Sequence, residues 1–497
     1  MPPWGLPAGW RKIGRGPRIG FRLATGPPVA HIRLFNHYLQ TPYLLLGFLE
    51  LILLLAAVHL AYVLRFGPEV TVHFDWWGTS MLRAVVYAVV MVACNVAMDV
   101  YPARLREGFA SMVVRTVVSY CLLGVAALTL LYYLVPQWYL GRGMLLAAVL
   151  VSLLLVLPMR YLFFAAVGVE PLRRRVLLIG AGERAQQLLD SLQRERGQLG
   201  VEVVACIEAG GESVVAPALR RQPPKNWLAL VRHERISEIV VVMDERRRGR
   251  GALFPLEELL DCKLSGVRVI EAINFYERET GRIELDLLNP GWMLFSDGFR
   301  YSQWRDLAKR AFDLVISLVL LLLTWPLMLL AMVGILLESG RPVIYRQTRV
   351  GLNGQPFELL KFRSMVRNAE QHGAQWAAQN DHRITRFGHF LRNTRIDELP
   401  QLYNVLRGQM SFIGPRPERP EFVCDLAREI PYYESRHRVK PGLMGWAQLK
   451  YPYGASMEDA AEKLRYDLYY TKNHSLLLDL LIVVQTVEVI LLGKGVR

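Results

Sequence analysis

The sequence predicts a membrane protein of mixed α and α/β class, with four transmembrane helices, a Rossmann-like parallel-sheet domain, and a re-entrant membrane hairpin joined to a compact, mainly α domain. Three observations carry this prediction. Four apolar runs fill the first third of the chain, a strand–glycine loop–helix pattern follows, and a fifth apolar run with a central proline precedes a segment rich in arginine, glycine and proline. The predicted boundaries are 1–40, 41–170, 171–300, 301–340 and 341–497.

Length, composition and charge already exclude several classes of protein. The chain has 497 residues, enough for several domains at about 100–200 residues each. With 52% hydrophobic and 21% charged residues, a disordered chain is excluded and a purely soluble one is disfavoured. The net charge of +15 indicates an anionic surface or anionic substrates. The 5 cysteines lie far apart without a C-x-x-C pair, which supports neither a disulfide framework nor a zinc knuckle.

The first four apolar runs have the length of transmembrane helices. Each is close to the roughly 20 residues that cross a hydrocarbon core, and they mostly lack the polar stripe of a soluble helix. Polar residues within or beside them are few and several lie near helix ends, so a transport site is not favoured; they are Glu50, Asn95, Asp99 and Arg115. The runs themselves are Tyr43–Leu64, Leu82–Met98, Met112–Val135 and Met144–Val167.

The distribution of basic residues predicts the orientation of these helices. Residues 1–40 are basic and contain no acid, the turn after the second run holds Arg104 and Arg106, and the fourth run is followed by the basic triplet 173–175. The other two loops hold only Arg65 and Arg142. By the positive-inside rule, the N-terminus and everything after residue 172 are expected in the cytoplasm.

A Rossmann-like pattern begins at residue 173. An apolar strand leads into the turn Gly180-Ala-Gly182, a helix follows, and further strands at 201–207, 236–243 and 267–270 predict a parallel sheet. Gly180 and Gly182 permit a turn whose N–H groups face a pyrophosphate, and Glu208 stands where a ribose-binding acid would sit. The pattern predicts the fold more strongly than a ligand, so nucleotide or dinucleotide binding stays open. Because no Tyr-x-x-x-Lys pair occurs, sugar dehydratase or epimerase chemistry is not favoured.

The fifth apolar run, Leu314–Leu337, is long enough to cross a bilayer. Both of its flanks are basic, however, so neither side is preferred for translocation. Pro326 stands near its middle, where proline removes a helical hydrogen bond and kinks the helix. These observations predict a re-entrant hairpin with both ends in the cytoplasm. The alternative, a fifth spanning helix, would carry the C-terminal segment to the other side.

Beyond this run, the chain resembles the bacterial polyprenyl-phosphate hexose-1-phosphate transferases over roughly residues 305–497. The four-helix and Rossmann-like prefix is similar to the large form of that family, and Asn289–Phe299 resembles its exopolysaccharide-associated branch. The motifs that carry the resemblance stand in order: Tyr345–Gly351, Leu360–Met365, Arg383–Gly388, Thr394–Gln401, Met410–Pro417 and Arg438–Gln448.

The resemblance implies an undecaprenyl-phosphate sugar phosphotransferase. Such an enzyme moves a sugar 1-phosphate from a UDP-sugar to undecaprenyl phosphate and releases UMP, through a phospho-aspartyl intermediate and with Mg²⁺. It also implies a multi-pass protein of the bacterial inner membrane, in contact with its lipids, with a cytoplasmic catalytic domain and no nucleic-acid partner. The sugar, the polysaccharide pathway and a homodimer are left open.

The acidic pair Asp397–Glu398 suits this chemistry on physical grounds. Adjacent carboxylates on a helix face different ways, so they can take different roles. A carboxylate can attack phosphorus and split one displacement into two easier steps. A divalent ion held by the other carboxylate would neutralise the polyphosphate. We therefore expect Asp397 to be the nucleophile and Glu398 the main metal ligand.

Basic residues of the same motifs are candidates for substrate binding. Arg392 and Arg416 can clamp phosphate oxygens bidentately. Lys361 and Arg363, near the apolar run, are expected to bind the lipid phosphate or position the acidic pair. Further candidates, on weaker grounds, are Arg383, Arg438 and a turn formed by Gly442, Gly445 and Gln448.

Two other functions remain open from the sequence. A glycosyltransferase could move the sugar alone, although the Asp-x-Asp metal motif common in such enzymes is absent from the sequence. A membrane sensor or scaffold could use the Rossmann-like domain to regulate a partner. Release of UMP rather than UDP separates the first alternative from the phosphotransferase, and activity of the C-terminal segment alone separates the second.

Overall fold

The computed structural model describes most of the chain. Asp99, Arg104, Arg106 and Arg173 lie outside the described residues, as does nearly all of the predicted N-terminal segment 1–40. The described residues are 32–34, 37–39, 41–67, 79–98, 100, 109–167, 174–194, 201–210, 213–244, 254–288, 290–296, 298–299, 302–367, 369, 382–451, 454 and 456–491.

Four long apolar helices form the first part of the molecule. A short antiparallel hairpin of β1 (Ile32–Leu34) and β2 (His37–Leu39) precedes them. The helices are α1 (Thr41–Phe66), α2 (Thr79–Ala97), α3 (Phe109–Leu134, with a π-helical stretch at Ser119–Gly124) and α4 (Arg142–Val167). Each has the length and composition to cross a membrane, and they share one apolar core.

A buried ion pair joins the first and fourth of these helices. Arg160 Nε and Glu50 Oε1 lie 2.6 Å apart, and both side chains are 0% exposed. Arg160 also donates to Thr116 of α3, and Asn95 of α2 donates to Glu50 at 3.3 Å. A charge inside an apolar bundle is tolerated when a partner neutralises it. Glu50 and Asn95, two of the polar residues noted in the sequence, therefore join helices of the bundle, and Arg160 is the partner that sequence reasoning missed.

The middle of the chain confirms the predicted parallel-sheet α/β region. Five parallel strands lie in the spatial order β5-β4-β3-β6-β7. Apolar clusters cover both faces of the sheet, as expected of parallel strands. The strands are β3 (Arg174–Ile179), β4 (Val201–Ile207), β5 (Arg220–Arg221), β6 (Glu238–Val241) and β7 (Arg268–Glu271). The helices are α5 (Glu183–Arg194), α6 (Trp227–His233), α7 (Leu256–Leu264), α8 (Ala272–Thr280) and α9 (Pro290–Phe295).

The fifth apolar run lies in one continuous helix, α10 (Gln303–Ser339), which contains Pro326. By length and composition this helix could also cross a membrane. Most of its large apolar side chains are exposed, among them Leu322 and Leu337 at 74% and 83%. An unbroken exposed apolar surface of this size indicates contact with lipid.

A compact C-terminal domain, mainly α, follows this helix. Its described residues form an antiparallel hairpin, a short parallel strand pair and six helices. The strands are β8 (Ile344–Val350), β9 (Pro356–Phe362), β10 (Ser411–Ile413) and β11 (Gly442–Met444). The helices are α11 (Arg386–Asn393), α12 (Gln401–Leu406), α13 (Pro420–Glu429), α14 (Trp446–Lys450), α15 (Met457–Asn473) and α16 (Leu476–Leu491).

Helix α15 joins the α/β region to the C-terminal domain. Ile273 and Trp292 pack with Leu464 and Leu468 in one apolar cluster. Lys472 Nζ lies 2.6 Å from a Glu277 oxygen, in a pair that is largely buried. Apolar contact and a buried ion pair together fix one face of α15 against the α/β region.

We expect the Glu50–Arg160 pair to be needed for the stability of the helix bundle. Glu50→Gln or Arg160→Met leaves one buried charge without its partner, and should lower the melting temperature in detergent by about 5 °C or more. The double variant should lose less than the sum of the two singles, because the shared interaction is removed only once. Arg142→Met, at an exposed helix start, is the matched control. Additive losses in the double variant would show that the pair is not coupled.

Candidate active site

A cavity of about 690 Å³ opens in the C-terminal domain. Its walls come from the β8–β9 hairpin, the turn that carries Asp397, the loop at Arg416, and helices α13, α14 and α15. Arginine is the most frequent residue in these walls. The cavity is within the size range of small-molecule sites.

The turn that carries Asp397 is fixed by its apolar neighbours. Helix α11 ends before Arg395, whose φ of +58° places it in the left-handed region. A single 3-10 turn, Ile396–Glu398, follows and leads into α12. Ile396 is buried against Ala331 and Ile335 of the membrane helix. This anchoring directs Asp397 into the cavity wall with only 6% of its surface exposed.

Glu398 is held by three cations. Its Oε1 lies 2.8 Å from Arg416 Nη2, 3.5 Å from Arg395 Nη1 and 3.9 Å from Lys361 Nζ. Burial alone would raise the pKa of Glu398, but Arg416, Lys361 and Arg395 outweigh it and lower that pKa to about 2. Glu398 is therefore ionised at neutral pH.

The pKa of Asp397 is shifted in the opposite direction to that of Glu398. Burial raises the pKa of Asp397 above its ordinary value, and the negative charge of Glu398 raises it further. Lys361, Arg392 and Arg395 offset part of this increase. Two adjacent carboxylates thus differ in proton affinity, the arrangement by which active sites assign different roles to like groups.

Lys361 lies on β9 opposite Tyr345 and reaches the acidic pair from the hairpin. Burial and the neighbouring Arg416 lower the pKa of Lys361 to about 8, although Glu398 and Asp397 favour its charged form. Its ammonium group is therefore close to titration in the physiological range.

Two arginines fix the loop that carries Arg416 by hydrogen bonds to its backbone carbonyls. Arg349 Nη1 donates to the carbonyl of Pro417 at 3.0 Å, and Arg436 Nη2 donates to the carbonyl of Arg416 at 3.0 Å. Arg436 is itself fixed by Asp467 of α15 at 2.7 Å. Because buried cations bind both carbonyls, the loop presents the Arg416 side chain to Glu398 with little freedom.

The structure brings most of the predicted substrate-binding residues to this cavity. Its lining includes Asp397 and the predicted Lys361, Arg363, Arg383, Arg392, Arg416 and Gln448. Glu398 is adjacent through its contacts with Lys361 and Arg416. Arg438 is exposed at the end of the turn Tyr433–Arg438 and is not part of the lining.

Gly442 and Gly445 have a structural reason to be glycine. A Cβ on Gly442 would lie 2.0 Å from the backbone nitrogen of Gly414, and one on Gly445 would lie 2.6 Å from the Gly414 carbonyl. These glycines let β10 and β11 approach closely and so fix the loop that leads to Arg416. Gln448, one turn further, is the member of the predicted turn that lines the cavity.

Sequence reasoning missed the far wall of the cavity. Tyr433, Arg436, Lys463 and Asp467 all line it. Burial raises the pKa of Asp467 to about 6, with Arg436 acting in the opposite direction. Lys463 and Asp467 are four residues apart on α15, and this i, i+4 spacing of charges was the available signal.

The glycine loop of the α/β region lies apart from this cavity. Gly180 has a φ of +119°, and a Cβ there would meet the carbonyl of Val242 at 2.8 Å, so glycine is required. Glu208 accepts a hydrogen bond from Gln222 and lies 3.9 Å from Arg220. Gly182 directly precedes helix α5. In the first turn of that helix, the backbone N–H of Arg184 donates a hydrogen bond to Asp244 Oδ1 at 3.0 Å. Nucleotide binding at Gly180, Gly182 and Glu208 stays a prediction.

A magnesium ion at the acidic pair stays a prediction, with Glu398 as its expected main ligand. Among the residues that the structure describes, no three His, Cys, Asp or Glu side chains converge on one point. Mg²⁺ is commonly bound by one or two carboxylates together with substrate phosphates and water. Asp397 and Glu398, one of them firmly ionised, supply such a pair.

Comparison with known proteins places this site in a family. The family model described as "Bacterial sugar transferase" matches residues 304–493. The UDP-N-acetylgalactosamine-undecaprenyl-phosphate N-acetylgalactosaminephosphotransferase of Aeromonas hydrophila is 45% identical over 242 residues, which cover 48% of this chain and 56% of that protein. The UDP-glucose:undecaprenyl-phosphate glucose-1-phosphate transferase of Xanthomonas campestris pv. campestris is 45% identical over 183 residues, which cover 36% of this chain and 38% of that protein. Less than two thirds of either relative is therefore matched.

A third relative matches over a longer stretch. The UDP-galactose-lipid carrier transferase of Erwinia amylovora is 30% identical over 417 residues, which cover 79% of this chain and 82% of that protein. The match therefore extends well beyond the C-terminal domain. The chain belongs to the bacterial sugar transferase family.

Proposed function

We propose that this protein transfers a sugar 1-phosphate from a UDP-sugar to undecaprenyl phosphate, giving undecaprenyl-diphosphate-sugar and UMP. The observation that carries the proposal is the buried Asp397 carboxylate, of raised pKa, in the wall of a cavity lined by cations. The names of two relatives describe this reaction with N-acetylgalactosamine and with glucose, and that of a third names UDP-galactose and a lipid carrier; this supports the reaction class and leaves the sugar to experiment.

The first step would be attack by Asp397 on the donor. A carboxylate oxygen of Asp397 forms a bond to the β-phosphorus, and the bond from that phosphorus to the bridging oxygen breaks. UMP leaves with the bonding electrons, and the sugar phosphate stays on Asp397 as an acyl phosphate. Arg416 and Lys361 lie beside the acidic pair, where negative charge would develop, and fixed cations in a partly buried cavity are effective there.

The second step would return Asp397 to its free form. An oxygen of the lipid phosphate attacks the same phosphorus, a diphosphate forms, and the Asp397 carboxylate leaves. No proton needs to be removed, because the acceptor is already an anion. Covalent catalysis of this kind divides one difficult displacement into two. Glu398 is the residue that would hold Mg²⁺, and the ion would supply charge neutralisation on the diphosphate.

The position of the site relative to the membrane supports a lipid acceptor. Near the start of helix α10, Arg310 donates to the carbonyls of Val405 and Leu406 at 2.6 Å. Near its end, Glu338 accepts from the backbone N–H of Phe387 at 2.9 Å. Both ends therefore contact one compact domain. A helix that crossed the bilayer would separate its ends by the thickness of the hydrocarbon core, about 30 Å.

We accordingly propose that α10 is the re-entrant element, bent at Pro326, with the catalytic domain at the cytoplasmic face of the bacterial inner membrane. Helices α1–α4 would be the four membrane-spanning segments. Helix α16 packs Val484 against Met112 and Phe164 of this bundle and would lie at its border. A site at this level reaches a soluble donor and a lipid phosphate at the same time, which reduces the entropy cost of bringing them together.

Asp397→Asn should abolish both turnover and the covalent intermediate. The amide cannot form the acyl phosphate, so turnover should fall by at least about 1,000-fold. Intact-mass measurement after incubation with a panel of UDP-sugars should show a sugar-phosphate adduct on the wild type and none on the variant. Asp425→Asn, an exposed carboxylate on α13 outside the cavity, is the matched control and should behave as the wild type.

The same assay separates the alternatives. An undiminished adduct on Asp397→Asn would remove Asp397 from the nucleophilic role, and release of UDP instead of UMP would identify a glycosyltransferase. Excess chelator should stop adduct formation; full activity in its presence would contradict a role for Mg²⁺. A wild-type protein with no adduct and no transfer from any UDP-sugar would contradict the proposed function as a whole.

Activity should fall as pH rises through about 8. The pKa of Lys361 is lowered to about 8, so its side chain carries a positive charge below that pH and loses this charge above it. The value of kcat/KM for the donor, which reports the free enzyme, should therefore decline on the alkaline side from about pH 8. Lys361→Arg keeps the charge to much higher pH and should move this decline upward by more than about one pH unit. An unchanged alkaline limb in Lys361→Arg would exclude Lys361; Lys225→Arg, an exposed residue of the α/β region, is the control.

Both flanks of α10 should be accessible from the same side of the membrane. Single cysteines at Gln303 and Arg346, in a protein whose exposed Cys121 and Cys424 are replaced by serine, should react with an impermeant maleimide only from the cytoplasmic face of oriented vesicles. A cysteine at Tyr139, between α3 and α4, is the control and should react only from the opposite face. Labelling of 303 and 346 from opposite faces would show that α10 crosses the membrane.

A further inference from the structure

Arg363 is a buried cation whose hydrogen bonds are incomplete. It follows β9, lines the cavity and is 7% exposed. Its Nη2 donates to the carbonyl oxygens of Ser339 and Gly340 at 2.8 and 2.5 Å. Its Nε and Nη1 are buried without a hydrogen-bond partner among the described residues. An unsatisfied buried guanidinium is costly, so its retention at a cavity wall indicates an anion that completes it.

Other arginines line the same cavity. Arg367, Arg383 and Arg392 also belong to its lining. Arg367 donates to the carbonyl of Arg341, and Arg383 donates to the carbonyl of Ala369 at 3.0 Å. Among the described residues, no carboxylate lies within ion-pair distance of Arg363 or Arg367. This positive charge is therefore not neutralised by the described part of the protein, and it favours an anionic ligand.

The cations around Glu398 form a different group. Arg416, Arg395 and Lys361 share one carboxylate there, at distances of 2.8–3.9 Å. Arg392, which also lines the cavity, acts to lower the pKa of Asp397. The cations around Glu398 thus share one carboxylate, whereas Arg363 and Arg367 line the same cavity without a carboxylate partner among the described residues.

We propose that Arg363 and Arg367 form a second anion subsite, which binds the phosphate monoester of the polyprenyl phosphate acceptor while the group around Glu398 binds the diphosphate of the donor. This inference rests on the proposed function and deepens it. It predicts two phosphate subsites on either side of Asp397, rather than one subsite used in turn by UMP and by the lipid phosphate.

The location of Arg363 favours a lipid phosphate over a free one. Its hydrogen-bond partners Ser339 and Gly340 end the membrane helix α10. Leu337, just before them, is 83% exposed, and Val366, beside Arg367, is 47% exposed. An isoprenoid chain lying along these apolar side chains would leave its phosphate at the level of Arg363. The fork of a guanidinium suits two oxygens of such a phosphate.

The two halves of the reaction test this proposal. The burst of UMP with UDP-sugar alone reports the donor site, and transfer with varied undecaprenyl phosphate reports the acceptor site. Arg367→Gln and Arg363→Gln should raise the apparent KM for undecaprenyl phosphate by about 10- to 100-fold. Their effect on the burst rate should be at least tenfold smaller than their effect on transfer. Arg363→Lys should recover only part of the loss, and Arg428→Gln, exposed on α13 outside the cavity, should change neither.

Product inhibition gives a second measurement that does not depend on the folding of a variant. With two subsites, UMP should inhibit the wild type noncompetitively against undecaprenyl phosphate; competitive inhibition would overturn the proposal. Equal losses of burst and transfer in a folded Arg367→Gln would assign Arg367 to the donor and also overturn it. A wild type without any UMP burst would instead contradict the proposed function.

The source of the phosphate is tested with the same proteins. Farnesyl phosphate should raise the melting temperature of the wild type more than that of Arg367→Gln. Inorganic phosphate and vesicles of phosphatidylglycerol should not distinguish the two proteins. If inorganic phosphate or phosphatidylglycerol gave the same difference as farnesyl phosphate, the subsite would be one for phosphate in general and not for the acceptor.

Discussion

The contact between Glu398 and Arg416, at 2.8 Å, is the interaction on which the site depends. Two adjacent carboxylates cannot both stay ionised in a buried wall unless cations neutralise at least one of them. Arg416, with Lys361 and Arg395, does this for Glu398 and lowers the pKa of Glu398 to about 2. Asp397 then remains the carboxylate of higher proton affinity, facing the cavity, and is the better nucleophile of the two.

This contact is supported by a series of buried polar interactions that reaches helix α15. Arg436 binds the backbone of Arg416 and is paired with Asp467 on that helix. An adjoining face of α15, at Leu464 and Leu468, packs against the α/β region. The α/β region therefore stabilises the helix that forms the far wall of the cavity. A distant domain can affect the site in this way without contributing a residue to it.

Local patterns in the sequence were sufficient to predict the main helices and strands and the part of the cavity lining that includes Lys361, Asp397 and Arg416. The glycine turn at 180–182 and the apolar runs have short-range signals, and Lys361, Arg363, Asp397 and Arg416 stand in dense motifs. The partners that come from distant segments were not predictable. Arg160 is hidden in an apolar run, and its role depends on Glu50, 110 positions away in the sequence. Arg436 and Asp467 likewise acquire a role only when the fold brings them behind Arg416.

The glycine loop illustrates how a motif can persist while its polar groups are used within the protein. At the first turn of α5, where a pyrophosphate would lie in a dinucleotide-binding fold, the Asp244 carboxylate accepts the backbone N–H of Arg184. The carbonyl of Ala181 accepts from the backbone N–H groups of Val214 and Val215. A second anion beside Asp244 would be repelled unless that side chain moved. In this structure the hydrogen bonds of the loop stay within the α/β region. The α/β region as a whole supports the site through its packing against helix α15.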